Sequence, residues 1–270
     1  MNIWDQIKTE ILHKGIYYLL VLFIAVGLKF FYSRAASEDL VWILSPTAAI
    51  VECLSGTHFE KEMNIGYVSL SRSITIVPAC AGLNFMIAAF CMAAFGLLYS
   101  MKRRELLPLC VVASMAAAYL LTVAVNSVRI VTSMYLYKAD IYTQLITPER
   151  VHRIEGVLIY VVFLSLFYLA VRKIMWATML FATYEKKKTD GRNIRDAVIT
   201  SLIPLFWYFL IALAVPVLNN AHHSHAGLFW EHFLVVLTVG LIIFLIIFLI
   251  LVCYSFFPKR NKIHHDGCSS

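Results

Sequence analysis

The chain has 270 residues, of which 61% are hydrophobic and only 14% carry a charge. Soluble domains typically contain about 25% charged residues, so this chain cannot hide its apolar surface from water. The composition therefore excludes a soluble globular protein and indicates a chain for which lipid is the main solvent.

The apolar residues are grouped in runs close to the roughly 20 residues that a helix needs to cross a bilayer. Charged segments separate the runs, which lie at 15–31, 80–100, 106–125, 156–172, 197–215 and 233–253. The sequence thus predicts an all-α fold, a polytopic transmembrane helix bundle of about six spans.

The net charge of +7 is explained by membrane topology and does not require a nucleic-acid partner. With a cytoplasmic N-terminus, the inner segments carry fifteen Lys and Arg residues and the outer segments carry seven. This is the bias of the positive-inside rule. It predicts a multi-pass protein of the cell inner membrane with both termini cytoplasmic and a basic cytoplasmic loop at 173–196, which suits contact with anionic lipid.

The first apolar run follows a basic start, and Ala35 and Ala36 come a few residues after it, so it could be a signal peptide. The run is longer than an ordinary signal core, and its removal would leave an odd number of spans. We therefore expect an uncleaved anchor.

The outer loop 32–79 interrupts the pattern of long helices. Residues 40–54 are apolar but short and contain Pro46, which favours a helix lying at the membrane interface. The stretch from Phe59 to Val77 alternates polar and apolar residues around Gly66 and predicts a short extended hairpin before the second span.

The six cysteines show no CxxC motif and no spacing typical of metal ligands. Cys91, Cys110 and Cys253 lie within apolar runs, where a thiol behaves as a small hydrophobic group. Cys53 and Cys80 fall on the outer side, so a disulfide between them is one alternative and a reactive thiol is the other.

Two residues with reactive or charged side chains fall at the outer ends of neighbouring spans. Cys80 stands at the start of the second span, where the helix dipole favours a thiolate. Arg129 stands at the end of the third span, and Asn126 lies one turn before it on the same face. The topology places both on one side of the membrane.

His152 comes just before the fourth span, with Glu149 and Glu155 each three residues away and able to orient the ring. Each of these residues alone would be an ordinary interfacial polar group. A thiol, a base and a permanent cation at one depth are together the parts that acyl transfer requires.

This ordered set resembles the exosortase and archaeosortase family of membrane cysteine transpeptidases. That family has a Cys-Ser-Gly-like element, an Asn-x-x-Arg element and a later His, and the resemblance covers about residues 40–172. The matching positions are Cys80, Gly82, Asn126, Arg129 and His152. Ala81 departs from the pattern because the family usually has Ser there. Within the family, the chain looks most like the exosortase K branch.

The resemblance implies a role for each matched residue. Cys80 would attack a peptide carbonyl to form a thioester, Arg129 would stabilise the oxyanion, and His152 would transfer the proton. The implied partners are the lipid bilayer and secreted proteins with a C-terminal sorting signal made of a motif, a transmembrane helix and a basic tail. No cofactor and no metal are implied. The transpeptidase core would be 1–172.

One alternative to an enzyme is a non-enzymatic transporter or envelope-assembly scaffold. Such a protein would use Arg129 and His152 along a pathway through the membrane, but both residues lie at the edges of spans.

The region 197–257 would hold two spans and an outer loop with His222, His223 and His225. That loop could bind zinc, but it lacks a HExxH pattern and a hydrated loop is the simpler interpretation. Residues 258–270 would be a cytoplasmic tail.

Overall fold

A computed structural model of the chain describes residues 3–70, 74–139, 147–182, 194–218 and 226–256. Helices α1 and α2 and a small sheet come first, and the remaining helices follow. The elements are α1 (Ile3–Tyr32), α2 (Val41–Ser55), β1 (Phe59–Glu62), β2 (Gly66–Ser69), β3 (Thr75–Ile76), α3 (Leu83–Ser100), α4 (Leu107–Lys138), α5 (Pro148–Ala182), α6 (Ile194–Phe209), α7 (Val215–Leu218) and α8 (Ala226–Phe256).

The helical, membrane-spanning architecture predicted from the sequence is confirmed. In the described ranges, five helical segments are long and apolar enough to cross a membrane: Lys14–Tyr32, Pro78–Ser100, Arg104–Lys138, Pro148–Met175 and Phe229–Ile250. The run at 197–215 is also helical, but its apolar part, Ser201–Val217, is shorter. It contains Pro204 and a π-helical turn at Leu210–Ala214.

Helix α3 is the centre of the bundle, because it packs against α1, α4, α5 and α6. Its alanines are fully buried, and small side chains let neighbouring helices approach closely in lipid. They are Ala88, Ala89, Ala93 and Ala94.

Several buried hydroxyl groups in α2 and α4 are satisfied within their own helices. Each donates to the carbonyl oxygen four residues earlier, so it needs no partner from lipid. These residues are Thr47, Ser114, Thr122 and Ser127. They differ from the polar residues of the site described below, whose partners lie on other helices.

The loop between α1 and α3 contains the predicted helix and the predicted hairpin. Helix α2 packs on α4, where the Tyr119 hydroxyl donates to the Trp42 carbonyl at 2.9 Å. The sheet is antiparallel in the order β1-β2-β3, with Phe59 opposite Ser69 and Val68 opposite Thr75. The third strand extends the predicted hairpin.

The helices on either side of the site are longer than the apolar runs that indicated them. Helix α4 continues to Lys138 although its apolar run stops near residue 125, and α5 begins at Pro148 instead of near 156. Arg129 and His152 therefore lie within helices and not at their ends. Hydropathy marks where a helix leaves hydrocarbon, whereas main-chain hydrogen bonding decides where the helix ends.

Candidate active site

Cys80 ends a single 3₁₀ turn, Pro78–Cys80, that connects the sheet to α3. The turn is held by two helices. Asn126 of α4 donates through its Nδ2 to the Cys80 carbonyl, and the Tyr32 hydroxyl of α1 donates to the Pro78 carbonyl at 3.4 Å. Cys80 is half-buried, and Cys53 and Cys80 are both free thiols, not the disulfide considered above.

Gly82 lets the Cys80 turn fit beneath α4 and α5. Its φ of +69° is a left-handed conformation that other residues rarely adopt. A Cβ atom here would lie 3.2 Å from Thr122 Cγ2, 3.3 Å from Asn126 Cγ and 3.4 Å from the Tyr160 hydroxyl. Both the backbone angle and the close packing therefore favour glycine.

The guanidinium of Arg129 is fixed between α4 and α5. Nη1 donates to the Tyr160 hydroxyl at 3.1 Å, and that hydroxyl donates to Asn126 Oδ1 at 3.0 Å. The Tyr160 ring stacks on Phe85 of α3 with centroids 4.9 Å apart. At Gly156, a Cβ atom would lie only 2.8 Å from Arg129 Nε. The arginine thus has little freedom to move.

The bonds to His152 define its protonation. Arg129 Nη2 lies 2.7 Å from His152 Nε2, and because a guanidinium can only donate, Nε2 is the acceptor. The ring proton is therefore on Nδ1, which donates to Ser133 Oγ at 2.8 Å. Ser133 in turn donates to Glu155 Oε2 at 2.7 Å. This assignment makes the imidazole neutral, as a general base must be.

Cys80 and His152 open onto the same cavity, which has a volume of about 340 Å³. Ser133 also lines it, and the rest of its wall is mostly apolar, including Ile76, Ile130 and Met134. A thiol and a neutral imidazole therefore line one mostly apolar space, and Arg129 is bonded directly to that imidazole.

Most of the residues predicted for the site come together. Gly82, Asn126 and Glu155 all lie within the hydrogen-bonded or packed surroundings of Cys80, Arg129 and His152. Glu149 is exposed at the cavity wall and is bonded to Thr147, whereas Glu155 is bonded to Ser133.

The possible zinc-binding histidines, His222, His223 and His225, lie outside the described residues. Within the described ranges, no group of three or more His, Cys, Asp or Glu side chains is arranged to hold a metal ion.

Sequence reasoning missed Ser133, Gly156 and Tyr160. Ser133 lies four residues after Arg129, and Gly156 and Tyr160 lie four and eight residues after His152. Residues at these intervals share a helix face. The spacing could therefore have identified them once α4 and α5 were known to extend beyond the apolar runs.

A comparison with protein families matches residues 10–169, more than half of the chain, to the family described as transmembrane exosortase (Exosortase_EpsH). The match does not distinguish branches within that family. No curated protein and no solved structure matches the chain.

Proposed function

Because the chain belongs to the transmembrane exosortase family, we propose that it is a cysteine transpeptidase that cleaves C-terminal sorting signals of secreted proteins at the outer membrane interface and transfers the proteins to an acceptor. Support comes from the cavity that Cys80 and His152 share and from the hydrogen bond between His152 and Arg129. The site would thus bring together Cys80 as the nucleophile, His152 as the base and Arg129 as the fixed cation.

The reaction begins when the Cys80 sulfur, as thiolate, attacks the carbonyl carbon of a peptide bond and the thiol proton passes to His152. The tetrahedral intermediate collapses, the carbon–nitrogen bond breaks, and the leaving amine takes the proton from His152. A thioester remains on Cys80. An acceptor nucleophile then attacks that thioester and gives its proton to His152, the carbon–sulfur bond breaks with sulfur leaving as thiolate, and the thiolate takes the proton back from His152 to restore the starting state.

Arg129 and His152 exchange partners during this cycle. Arg129 Nη2 now donates to His152 Nε2, the same nitrogen that must accept the thiol proton. A bound peptide carbonyl oxygen is a competing acceptor for Nη2, and its negative charge in the tetrahedral intermediate strengthens the bond. Substrate binding would thus release Nε2 towards Cys80 while placing the guanidinium on the oxyanion.

Ser133 and Glu155 support the base. When His152 gains a proton, Nδ1–H continues to donate to Ser133, and Ser133 continues to donate to the Glu155 carboxylate. The buried Glu155 carboxylate, at the end of this series of hydrogen bonds, stabilises the imidazolium and keeps Nε2 directed at the cavity.

The proposal includes a location and an orientation. The protein would lie in the cell inner membrane with both termini cytoplasmic and the Cys80 cavity facing outward, which the distribution of Lys and Arg supports. The transpeptidase core would be residues 1–172, and the family match, which ends at residue 169, is consistent with that limit.

The test is to express Cys80→Ser, Arg129→Ala and His152→Ala beside Cys91→Ser, with secreted proteins that carry a motif, a transmembrane helix and a basic tail. Cys91 is buried in α3 with 1% exposure and serves as the matched control. We expect the first three variants to accumulate full-length substrate and Cys91→Ser to process it. Equal processing by all four variants would reject the mechanism.

A further inference from the structure

Strand β3 (Thr75–Ile76) lies at the edge of the sheet, beside the cavity that contains Cys80. Strand β2 pairs with one side of β3, and in the part of the chain that the structure describes no strand pairs with the other side. Ile74, Thr75 and Ile76 all line the cavity. The side chains of consecutive strand residues point to opposite faces of a sheet. A cavity that contacts Ile74, Thr75 and Ile76 therefore lies along the edge of the strand and not against one face.

The hydrogen bonds to β2 show which main-chain groups face the cavity. Ser69 N donates to the Ile74 carbonyl at 2.9 Å, and Ile74 N donates to Ser69 Oγ at 3.1 Å. Ile74 therefore directs its main chain towards β2. In an antiparallel ladder this direction alternates, so Thr75, opposite Val68, directs its N–H and C=O away from β2 and towards the edge.

We propose that this edge binds the substrate as an added β-strand, with the main-chain N–H and C=O of Thr75 pairing with an extended peptide. The inference rests on the proposed function, because the added strand would be the segment of the substrate that contains the carbonyl attacked by Cys80. Recognition by an added strand draws affinity from main-chain groups and specificity from neighbouring pockets. Cys80 follows Thr75 by five residues and lines the same cavity, so a peptide on this edge lies beside the thiol.

The cavity also limits which peptide fits. Ile74, Ile76, Ile130 and Met134 form apolar walls, so side chains that point into it are small or apolar and uncharged. Its volume of about 340 Å³ is near the lower end of the roughly 300–1,000 Å³ typical of ligand sites. The ligand is therefore a short extended segment, with the rest of the substrate outside the cavity.

Two alkylating reagents can test this with purified full-length protein. Iodoacetamide and acetyl-Ala-Ala-Ala chloromethyl ketone both form a carbon–sulfur bond with Cys80 and release halide, but only the second offers a peptide main chain. Thr75→Pro removes the outward N–H and leaves the ladder to β2 intact, since proline is tolerated on a strand edge. We expect alkylation of Cys80 by the peptide reagent to slow about five-fold, the effect of one main-chain hydrogen bond, with iodoacetamide unchanged.

Iodoacetamide is the matched control, because it offers no peptide main chain and reports the reactivity of the Cys80 thiol alone. A second measurement needs no variant: methylating the main-chain nitrogens of the peptide reagent should slow its reaction with the wild-type protein by a similar factor. Equal rates for the methylated and unmethylated reagents would overturn the proposal, even if Thr75→Pro disturbs the loop. If Cys80→Ser blocks protein processing while these rates stay equal, the transpeptidase assignment stands and only the added-strand proposal fails.

Discussion

At the level of single residues, the site depends on how tightly the guanidinium of Arg129 is positioned. It donates to Tyr160 and to His152, and among the residues that the structure describes its buried Nε atom meets no acceptor. That nitrogen faces Gly156, where there is no side chain to interfere. The position of the arginine thus depends on a glycine in the neighbouring helix.

Gly156→Ala should therefore reduce activity by displacing the Arg129 guanidinium. The added Cβ would lie 2.8 Å from Arg129 Nε and must displace the guanidinium, and misplacing a catalytic group by about 1 Å can lower a rate by about 100-fold. We expect substrate processing to fall at least about ten-fold. Gly27→Ala in α1, where a Cβ meets nothing within 4 Å, is the control and should retain activity. Wild-type activity in Gly156→Ala would show that the arginine position does not matter.

Ser133→Ala tests the series of hydrogen bonds that runs from His152 through Ser133 to Glu155. Without the hydroxyl, Nδ1–H loses its 2.8 Å acceptor, and the nearest Glu155 oxygen is 3.7 Å away. General acid–base catalysis contributes roughly 10²–10⁴ to a rate, so we expect the loss of this support to slow processing about ten-fold with little change in KM. The control is Thr132→Ala, because that exposed hydroxyl bonds only to the Val128 carbonyl among the contacts described. Equal rates for the two variants would remove Ser133 from the mechanism.

The sequence singled out Cys80, Arg129 and His152 as candidates because these residue types are unusual at the ends of apolar runs. Ser133 and Tyr160 were not identified, since serine and tyrosine are common in membrane helices and most have no function. Their roles depend on the rotation of α4 against α5, which one sequence does not specify. The same holds for Gly156.

At the level of secondary structure elements, the turn that carries Cys80 depends on a left-handed residue before α3. Gly82→Ala should destabilise the fold by about 1–2 kcal/mol through its backbone angle. It should also crowd Asn126 and Tyr160. Gly56→Ala is a close control, because Gly56 has a similar φ of +67° but open space around it. We expect both variants to lower Tm in detergent and only Gly82→Ala to lower the alkylation rate of Cys80. Equal effects on that rate would mean that packing around Gly82 does not position the thiol.

Helix α2 is joined to β1 by a pH-dependent contact between Glu52 and His58. Their hydrogen bond raises the pKa of His58 above its ordinary 6.5 and lowers the pKa of Glu52 below its ordinary 4.5. The contribution of His58 to the stability of the fold is fully present below pH 6.5 and is lost as pH rises through its raised pKa. The contribution of Glu52 to that stability is fully present above pH 4.5 and is lost as pH falls through its lowered pKa. The contact is therefore strongest between about pH 4.5 and 6.5.

An NMR titration of the His58 ring measures this directly. We expect a midpoint above 6.5 in the wild type and a return towards 6.5 in Glu52→Gln, because the neutral amide cannot stabilise the imidazolium. A midpoint that is the same in both proteins would show that the contact does not persist in solution.

The loop 32–79 and the bundle were largely predictable because each element has a local sequence signal. Alternation indicated the hairpin, and Pro46 within a short apolar run indicated a helix that does not span. The extended structure up to Val77 was expected, but two residues carry too little pattern to show that Thr75 and Ile76 form a separate third strand paired with β2. The extension of α4 to Lys138 was missed because Asn126 and Arg129 interrupt the continuous apolar run, although the helix itself continues to Lys138.

At the level of the whole molecule, the interhelical polar contacts of the site lie at one end of the bundle. Lys29 Nζ of α1 donates to Asn84 Oδ1 near the start of α3 at 2.6 Å, on the same side as Cys80. At the opposite end Lys14 Nζ donates to the Tyr99 carbonyl at 3.3 Å. In the intervening part of α4, Ser114 and Thr122 bond to their own helix. This arrangement favours a site at one face over a polar pathway through the described bundle.

The central claim is that the thiol of Cys80 is accessible from the non-cytoplasmic side. The most direct measurement is the reaction of a membrane-impermeant methanethiosulfonate cation with intact cells and with inverted membrane vesicles, read by mass spectrometry. A Cys53→Ser background removes the exposed thiol of α2, and Cys110, 6% exposed near the other end of α4, is the internal reference. We predict that Cys80 is modified in intact cells and protected in inverted vesicles, and that Cys110 is unreactive in intact cells. Modification of Cys80 only in inverted vesicles would contradict the account.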